Sequence, residues 1–454
     1  MVLYLLDKHK NISIWSQKKL TNVLFAFLLI LQSCAKDGEI HNDAKCAVPD
    51  RSTQISIEQA TSNLLKFMDE FDSETRSGKP RKIAEAIPLG LFEGTRSSES
   101  SANSPSIYLF NFTNDEGYAL VSGDTRVPDI LAFAEKGHLD PAEGIDNPGL
   151  AIFLANAETY VRLKTGLPFY DDTGNPIVLN DDGDDGYDPD IDEDYVEYSD
   201  WKTSSEDIEQ RLACYWGQRD PLNRYCYTDT GEKALVGCVA VAIAQIMYHY
   251  GHNHTYNRTA YDWNVIRNYW SQYGHYPAEA LDMAAKLVAD LGRPENLNMN
   301  YGIDASSASM DNVARTFRNF GYTSAGPLQD LNCRTKKPLL AVGYARRQTV
   351  LDKVMGVPVT HYNYSDGHAW VIDGSMTQTR YIYTYLYDGT LAKTETETRS
   401  LFHCNWGWSG QDDGYYLADA FNTMKGPEVR STSYWEGAAG YYRFRLEMIA
   451  SIHP

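Results

Sequence analysis

Between Leu167 and Trp201 the chain has no Lys or Arg, and the run from Asp181 to Asp200 is mostly Asp and Glu. Like charges at that density repel and leave too little apolar surface to fold around, so the run reads as a solvated linker. The linker constrains everything else. It divides the 454 residues into a first domain over 56–166, a linker over 167–200 and a second domain over 201–454. A chain of this length exceeds one ordinary core, which agrees with the division. The hydrophobic content of 43% leaves enough apolar surface for a core on either side. The formal net charge of -20 argues against nucleic acid or an anionic membrane surface as partner.

The first 34 residues look like an export signal. Lys18 and Lys19 precede an apolar run over 23–31 that is too short for an ordinary spanning helix. The run ends in Leu31-Gln32-Ser33-Cys34. A small residue directly before a cysteine resembles a bacterial lipobox, in which Cys34 becomes a lipidated N-terminus. Gln32 departs from the tightest form of that motif, and an ordinary signal peptide with an incidental cysteine is the alternative. Residues 35–55 are polar and read as a tether. The expected location is extracytoplasmic: secreted, or anchored at the outer membrane or surface of a Gram-negative bacterium. Membrane contact would come only through a lipid on Cys34.

In the first domain, Ser56 caps an expected helix whose apolar positions include Leu64, Leu65 and Phe67. Two strand-like runs, 106–112 and 117–124, flank Asn114-Asp115-Glu116-Gly117, so a hairpin is expected. Leu150, Phe153, Leu154, Ala157, Tyr160 and Val161 have helical spacing. The second domain opens with helices, including 238–250, 277–291 and 308–319, and ends in a β-rich half.

The chemistry centres on Cys238. It follows Leu235-Val236-Gly237 and opens the run Val239-Ala240-Val241-Ala242. A buried structural cysteine is one reading. The other places the thiol at a helix N-terminus, where the dipole and a nearby imidazolium favour the thiolate. His368 lies 130 positions later, between the turn Ser365-Asp366-Gly367 and the strand-like Ala369-Trp370-Val371-Ile372. Asn405 and Trp406 follow; an amide oxygen could accept from the imidazole and an indole could shield that contact. Gln218, in Trp216-Gly217-Gln218, is the candidate oxyanion donor together with the Cys238 N–H.

These motifs together resemble the streptopain family of bacterial cysteine proteases, a branch of the papain-like fold. The resemblance rests on Trp216-Gly217-Gln218, Gly237-Cys238-Val239-Ala240, Ala244-Gln245-Ile246-Met247 and Tyr261-Asp262-Trp263-Asn264. It continues in Met299-Asn300-Tyr301-Gly302, Ala305-Ser306-Ser307-Ala308, Gly367-His368-Ala369, His403-Cys404-Asn405-Trp406-Gly407-Trp408 and Asp413-Gly414-Tyr415-Tyr416. The first domain resembles that family's inhibitory propeptide in Tyr108-Leu109-Phe110-Asn111 and in 117–124. The resemblance implies an α+β protein: a papain-like two-lobed catalytic domain, with a helical lobe and an antiparallel β lobe, preceded by a small α+β prodomain. It implies a cysteine endopeptidase made as a zymogen, acting on proteins or peptides, with its own prodomain as intramolecular inhibitor and no cofactor or metal. Cys238 would be nucleophile, His368 general base and acid, and Gln218 oxyanion donor. Asn405 or Trp406 would orient or shield His368. Cleavage in the acidic linker would release residues from about 200 onward. Two stretches, 351–364 and 377–399, are longer than the family pattern.

Other signals are weaker. Asp181-Asp182-Gly183-Asp184-Asp185-Gly186 fits a calcium loop only in part. His249, His252 and His254 follow a helix end, where histidines suit the dipole without a metal. One disulfide, such as Cys214 to Cys226, is compatible with the seven cysteines. Two rival functions remain: acyl transfer to an amine on the same fold, and a catalytically silent peptide-binding lipoprotein.

Overall fold

The computed structural model describes residues 53–75, 81–89, 107–141, 145–165, 169–170, 176–177, 195–203, 212–269, 276–323, 327–328, 337–354, 357–421, 444–449 and 452–454. The export signal, Cys34, most of the tether and the calcium-like run lie outside them. Among the described residues, no helix is long and apolar enough to cross a membrane.

The N-terminal lobe starts with α1 (Ile57–Thr75). Ser56 and Gln59 cap it reciprocally: the Ser56 N–H donates to the Gln59 side chain at 2.9 Å, and the Gln59 N–H donates to Ser56 Oγ at 3.3 Å. This is a capping box, which satisfies two otherwise unpaired donors. Ala60, Leu64, Phe67, Met68 and Phe71 form its buried stripe. Leu65, expected on that stripe, is 45% exposed because it falls a residue off the helical period.

Four antiparallel strands follow: β1 (Ile83–Leu89), β2 (Ile107–Phe112), β3 (Tyr118–Ser122) and β4 (Ile130–Ala134). The expected hairpin is β2–β3. Every residue of β2, β3 and β4 is buried. The reason is that both sheet faces are covered. Phe110, Phe112, Ala119, Val121 and Phe133 meet α1, while Leu109, Tyr118, Leu120 and Ala132 join α2 (Pro148–Thr165) on the other face.

Short strands β5 (Phe169–Tyr170), β6 (Pro176–Ile177), β7 (Tyr195–Tyr198) and β8 (Lys202–Thr203) lead into the C-terminal lobe. Its helical part holds α3 (Cys238–Tyr250), the hairpin β9 (His254–Tyr256) and β10 (Thr259–Tyr261), then α4 (Trp263–Ile266), α5 (Ala278–Leu291) and α6 (Val313–Asn319). Its β part holds β11 (Pro327–Leu328), β12 (Leu339–Val354), β13 (Val357–Tyr385), β14 (Leu391–Asn405), β15 (Gly414–Leu417), α7 (Ala418–Phe421) and β16 (Phe444–Ile449). The two stretches that exceed the family pattern are the outer parts of the β12–β13 and β13–β14 hairpins. β7 falls inside the stretch whose composition marks a linker, yet it pairs with β13. Cys214 and Cys226 are free and buried, so the disulfide considered between them is not formed.

The two lobes share one sheet. Its order is β1-β2-β3-β4-β15-β14-β13-β12-β16-β11, with β4 and β15 paired through Ala132–Tyr416, Phe133–Tyr415 and Ala134–Gly414. Cores cross the same seam. Phe153 of α2 meets Tyr416 at 4.7 Å and Phe421 at 5.2 Å between ring centroids.

Candidate active site

Helix α3 begins at Cys238 because Gly237 breaks the preceding chain with φ 93° and ψ 133°. Only glycine adopts that conformation easily, and a Cβ there would also lie 3.0 Å from Met299. The approach to the helix is fixed by backbone bonds: Leu235 N–H donates to the Gly302 carbonyl at 3.0 Å, and Val236 N–H to the Gln218 carbonyl at 2.9 Å. Ser306 Oγ donates to the Leu235 carbonyl at 2.8 Å. The segment 299–306, singled out by sequence, is thus the rear wall of the turn. Residues 239–247 of α3 are buried throughout, whereas Cys238 is only partly buried. Burial pushes its thiol up from the ordinary value, against the opposing pull of the nearby backbone N–H groups of Ala369, Val239 and Cys238 itself.

Ala369 packs against Cys238 and the rest of α3, and His368 is the residue before it on β13, its ring stacked on Trp370. The imidazole does not bond to the sulfur. His368 is 2% exposed, and its Nε2 lies 2.9 Å from the Trp406 carbonyl. A carbonyl only accepts, so Nε2 carries the proton. Burial pushes His368 down to about 4, against a weaker upward pull from that carbonyl. At neutral pH about one ring in a thousand would be charged. A neutral thiol beside a neutral imidazole is not the ion pair that makes a cysteine nucleophilic.

The N-terminal lobe holds this arrangement closed. Asn147 caps α2: its Oδ1 accepts from Gly149 N–H at 3.1 Å, and its Nδ2 donates to Asp412 Oδ2 at 3.1 Å. Gly149 then lies against the site so closely that a Cβ would fall 2.2 Å from Trp406 Cε3 and 2.8 Å from His368 Cδ2. Tyr118 donates to Asp412 Oδ1 at 3.3 Å. Asp412 is raised by burial, against the hydrogen bonds from Asn147 and Tyr118.

Of the other expected site residues, Gln218 is 7% exposed and is tied two residues before Cys238 by its carbonyl. Trp406 is fully buried; its indole N–H donates to the Asp412 carbonyl at 3.1 Å, and its backbone N–H to Asp413 Oδ1 at 2.9 Å. Asn405 is committed elsewhere in this state. Its Nδ2 donates to the Cys214 carbonyl at 3.0 Å, and its Oδ1 accepts from Gly407 N–H at 3.1 Å. Asp413, which burial pushes up to about 8, accepts from the Trp406 N–H, while His368 uses the carbonyl of the same residue. Sequence reasoning gave no role to Asn147, Gly149, Asp412 or Asp413. Asn147-Pro148 does carry a local signal, a capping residue followed by proline at the first helical position. Nothing local says that the cap touches a residue 265 positions away.

Comparison with known proteins bears on the whole arrangement. Residues 216–416 match the Peptidase C10 family, and residues 52–161 match the Spi protease inhibitor family. Streptopain of Streptococcus pyogenes is 26% identical over 400 residues, covering 77% of this chain and 81% of that protein. The thiol protease/hemagglutinin PrtT of Porphyromonas gingivalis is 22% identical over 364 residues, covering 76% of this chain and 37% of PrtT. A solved fragment of Prevotella intermedia prointerpain A is 20% identical, with a TM-score of 0.46 over 79% of this chain and 98% of the fragment. The two family matches together define a class: a cysteine peptidase carried on one chain with an inhibitor domain, made as a zymogen. The match over residues 216–416 and the similarity to streptopain support the streptopain family, Peptidase C10.

Proposed function

We propose that Cys238 is the nucleophile, His368 its general base and acid, and Gln218 an oxyanion donor alongside the Cys238 N–H. Asn405 and Trp406 orient and shield His368. The cleavage follows from these roles. His368 takes the Cys238 proton, the thiolate adds to the peptide carbonyl carbon, and the oxygen that gains charge is met by Gln218 and the Cys238 N–H. The imidazolium returns the proton to the departing amine; water, activated by the same ring, then releases the acid and restores the thiol. The observation that carries this reading is Cys238, at the start of α3, packed against Ala369 of β13, one residue from a histidine bonded instead to the Trp406 carbonyl.

The domain boundaries expected from composition belong to the same reading: a prodomain over 56–166, an acidic linker over 167–200 and a catalytic domain beyond it. The conformation described is the uncut proenzyme, with Asn147-Pro148-Gly149 wedged beside His368. Activation requires that wedge to leave and His368 to turn to Cys238. The leader places the protein outside the cytoplasm, with a lipid on Cys34 as its anchor.

Intact mass and N-terminal sequencing of wild type beside Cys238→Ala in reducing buffer test the core of this. Wild type should shorten while the variant stays full length. If neither shortens, and neither cleaves casein after limited trypsin treatment, the assigned nucleophile is wrong. Repeating the assay with an added amine separates hydrolysis from acyl transfer.

A further inference from the structure

We propose that the outer β13–β14 hairpin is a dock for residues 195–203, and that the activated enzyme keeps this segment as part of its own sheet. The proposal rests on the proenzyme reading only in taking the linker to be cut at all.

The segment is bound along its length. β7 pairs with β13 through Tyr195–Tyr385, Val196–Thr384, Glu197–Tyr383 and Tyr198–Ile382, and β8 pairs through Lys202–Thr379 and Thr203–Gln378. Between them, Ser199 N–H donates to the Tyr381 carbonyl at 2.9 Å, and Tyr381 N–H donates back to Ser199 Oγ at 2.9 Å. Side chains repeat the match. The Tyr195 ring stacks on Tyr385 at 4.9 Å and 12°. Arg380 lies 4.2 Å from the Tyr198 ring centroid and 4.6 Å from that of Trp201, while Arg399 lies 4.3 Å from the Trp201 ring. Trp201 is therefore shared by two guanidinium groups, an arrangement in which a ring face stabilises cations that water cannot reach.

The N-terminal lobe holds the same segment far less. Among the described residues, its ties include an exposed Lys66–Asp200 pair and a bond from Thr203 N–H to the Glu70 carboxylate. Elsewhere α1 stands off from the segment across a cavity of about 610 Å3, bordered by Phe67, Glu70, Trp201, Arg380 and Arg399. When the inhibitor domain leaves, the segment's natural place is the hairpin.

Arg399 gives the retained segment a purpose. It is 2% exposed, it donates through Nε to Gln378 at 2.8 Å, and its guanidinium pairs with Asp129 of the inhibitor domain. Departure of that domain removes Asp129. The Trp201 face and Gln378 then remain as the partners of a cation sunk in the sheet, and Gln378 itself donates to Thr203 Oγ1 at 2.8 Å. A buried cation stripped of these would destabilise the hairpin. The boundary of the mature chain thus falls before Tyr195 rather than near 200.

A protease that cuts before aspartate tests this without self-processing. The Cys238→Ala chain, digested briefly, should yield a C-terminal fragment beginning at or before Asp194, with Asp200 spared. Trp201→Ala in that background should expose Asp200, giving a fragment that begins there at least tenfold faster. Trp201→Phe should restore most of the protection, and Lys66→Ala should leave it unchanged. Equal cutting before Asp194 and Asp200 in the parent overturns the dock, and Trp201→Ala cutting like the parent overturns the anchor. The self-processed wild type supplies the second arm. Its N-terminus should fall before Tyr195; a mature form starting after Thr203 overturns retention. Failure of wild type to process sinks the proenzyme reading instead, and leaves the aspartate digestion to decide the dock.

Discussion

The two halves of the candidate site differ in readiness. On one side, α3, the Gly237 turn and its rear wall are fully assembled, and Cys238 stands at the helix start. On the other, β13 is equally regular, yet His368 is bonded to the Trp406 carbonyl under Gly149. On the roles proposed above, latency would reside in the partner of one imidazole, not in an unfolded scaffold. The halves should therefore answer to different perturbations.

On the prepared side, Gln218→Ala should lower kcat of the activated enzyme by about 100-fold with little change in KM, as loss of an oxyanion donor does. An unchanged kcat removes Gln218 from the mechanism. On the restrained side, acid should open the wedge. His368 is depressed from 6.5 to about 4 where it is buried, so between those values the released ring binds a proton that the seated ring refuses. The seated state is fully stable above pH 6.5 and loses roughly 2 kcal/mol by pH 5, about 30-fold in population. Asp412 opposes this, since its raised value favours the seated, protonated form, but its shift is the smaller. Hydrogen exchange of amides 149–153 in Cys238→Ala, corrected for intrinsic rates, reads the difference. Equal protection at pH 5 and pH 7.5 would refute it.

Gly149→Ala should loosen the wedge by about 1–3 kcal/mol, because the added methyl overlaps Trp406 and His368. The uncut chain should then hydrolyse a small fluorogenic peptide roughly tenfold faster than its parent. Activity equal to the parent would mean that Gly149 does not restrain His368. Asp412→Asn is the finest probe. The amide can still accept from Asn147 and can donate to Tyr118, while the desolvated charge disappears. Opening at pH 7.5 should slow by a few-fold and the acid response should steepen, both visible in the same exchange measurement.

How much of this was legible in sequence varied with the range of the interaction. The start of α3 at Cys238 was readable, because a glycine before an unbroken apolar run is a local signal. So were the β2–β3 hairpin and α2, whose spacing is internal to each. The shared sheet was not. β4 reads Ile-Leu-Ala-Phe-Ala, apolar without alternation, and its partner β15 lies some 280 positions on. Burial on both faces erases the period that would have betrayed its orientation. Trp201 shows the same limit. Beside an acidic run it looks like the edge of a domain, and only Arg380 and Arg399, brought in by the hairpin, make it an anchor. Within the candidate site, residue type and order nominate Cys238, His368, Gln218, Asn405 and Trp406 for the roles proposed above. The state of His368 was not readable, since it depends on Gly149, a residue with no side chain to advertise a role.

The seam between β4 and β15 separates two events that a cut might be thought to join. Scission in the linker breaks no hydrogen bond of that seam and frees none of the rings around Phe153. What it removes is tethering: an inhibitor held at an effective concentration on the order of millimolar becomes an ordinary diffusing ligand. Waking is then governed by dilution. If the linker is cut as proposed, a crowded population of cut molecules should stay silent, and the same molecules, spread into a larger volume, should begin to work.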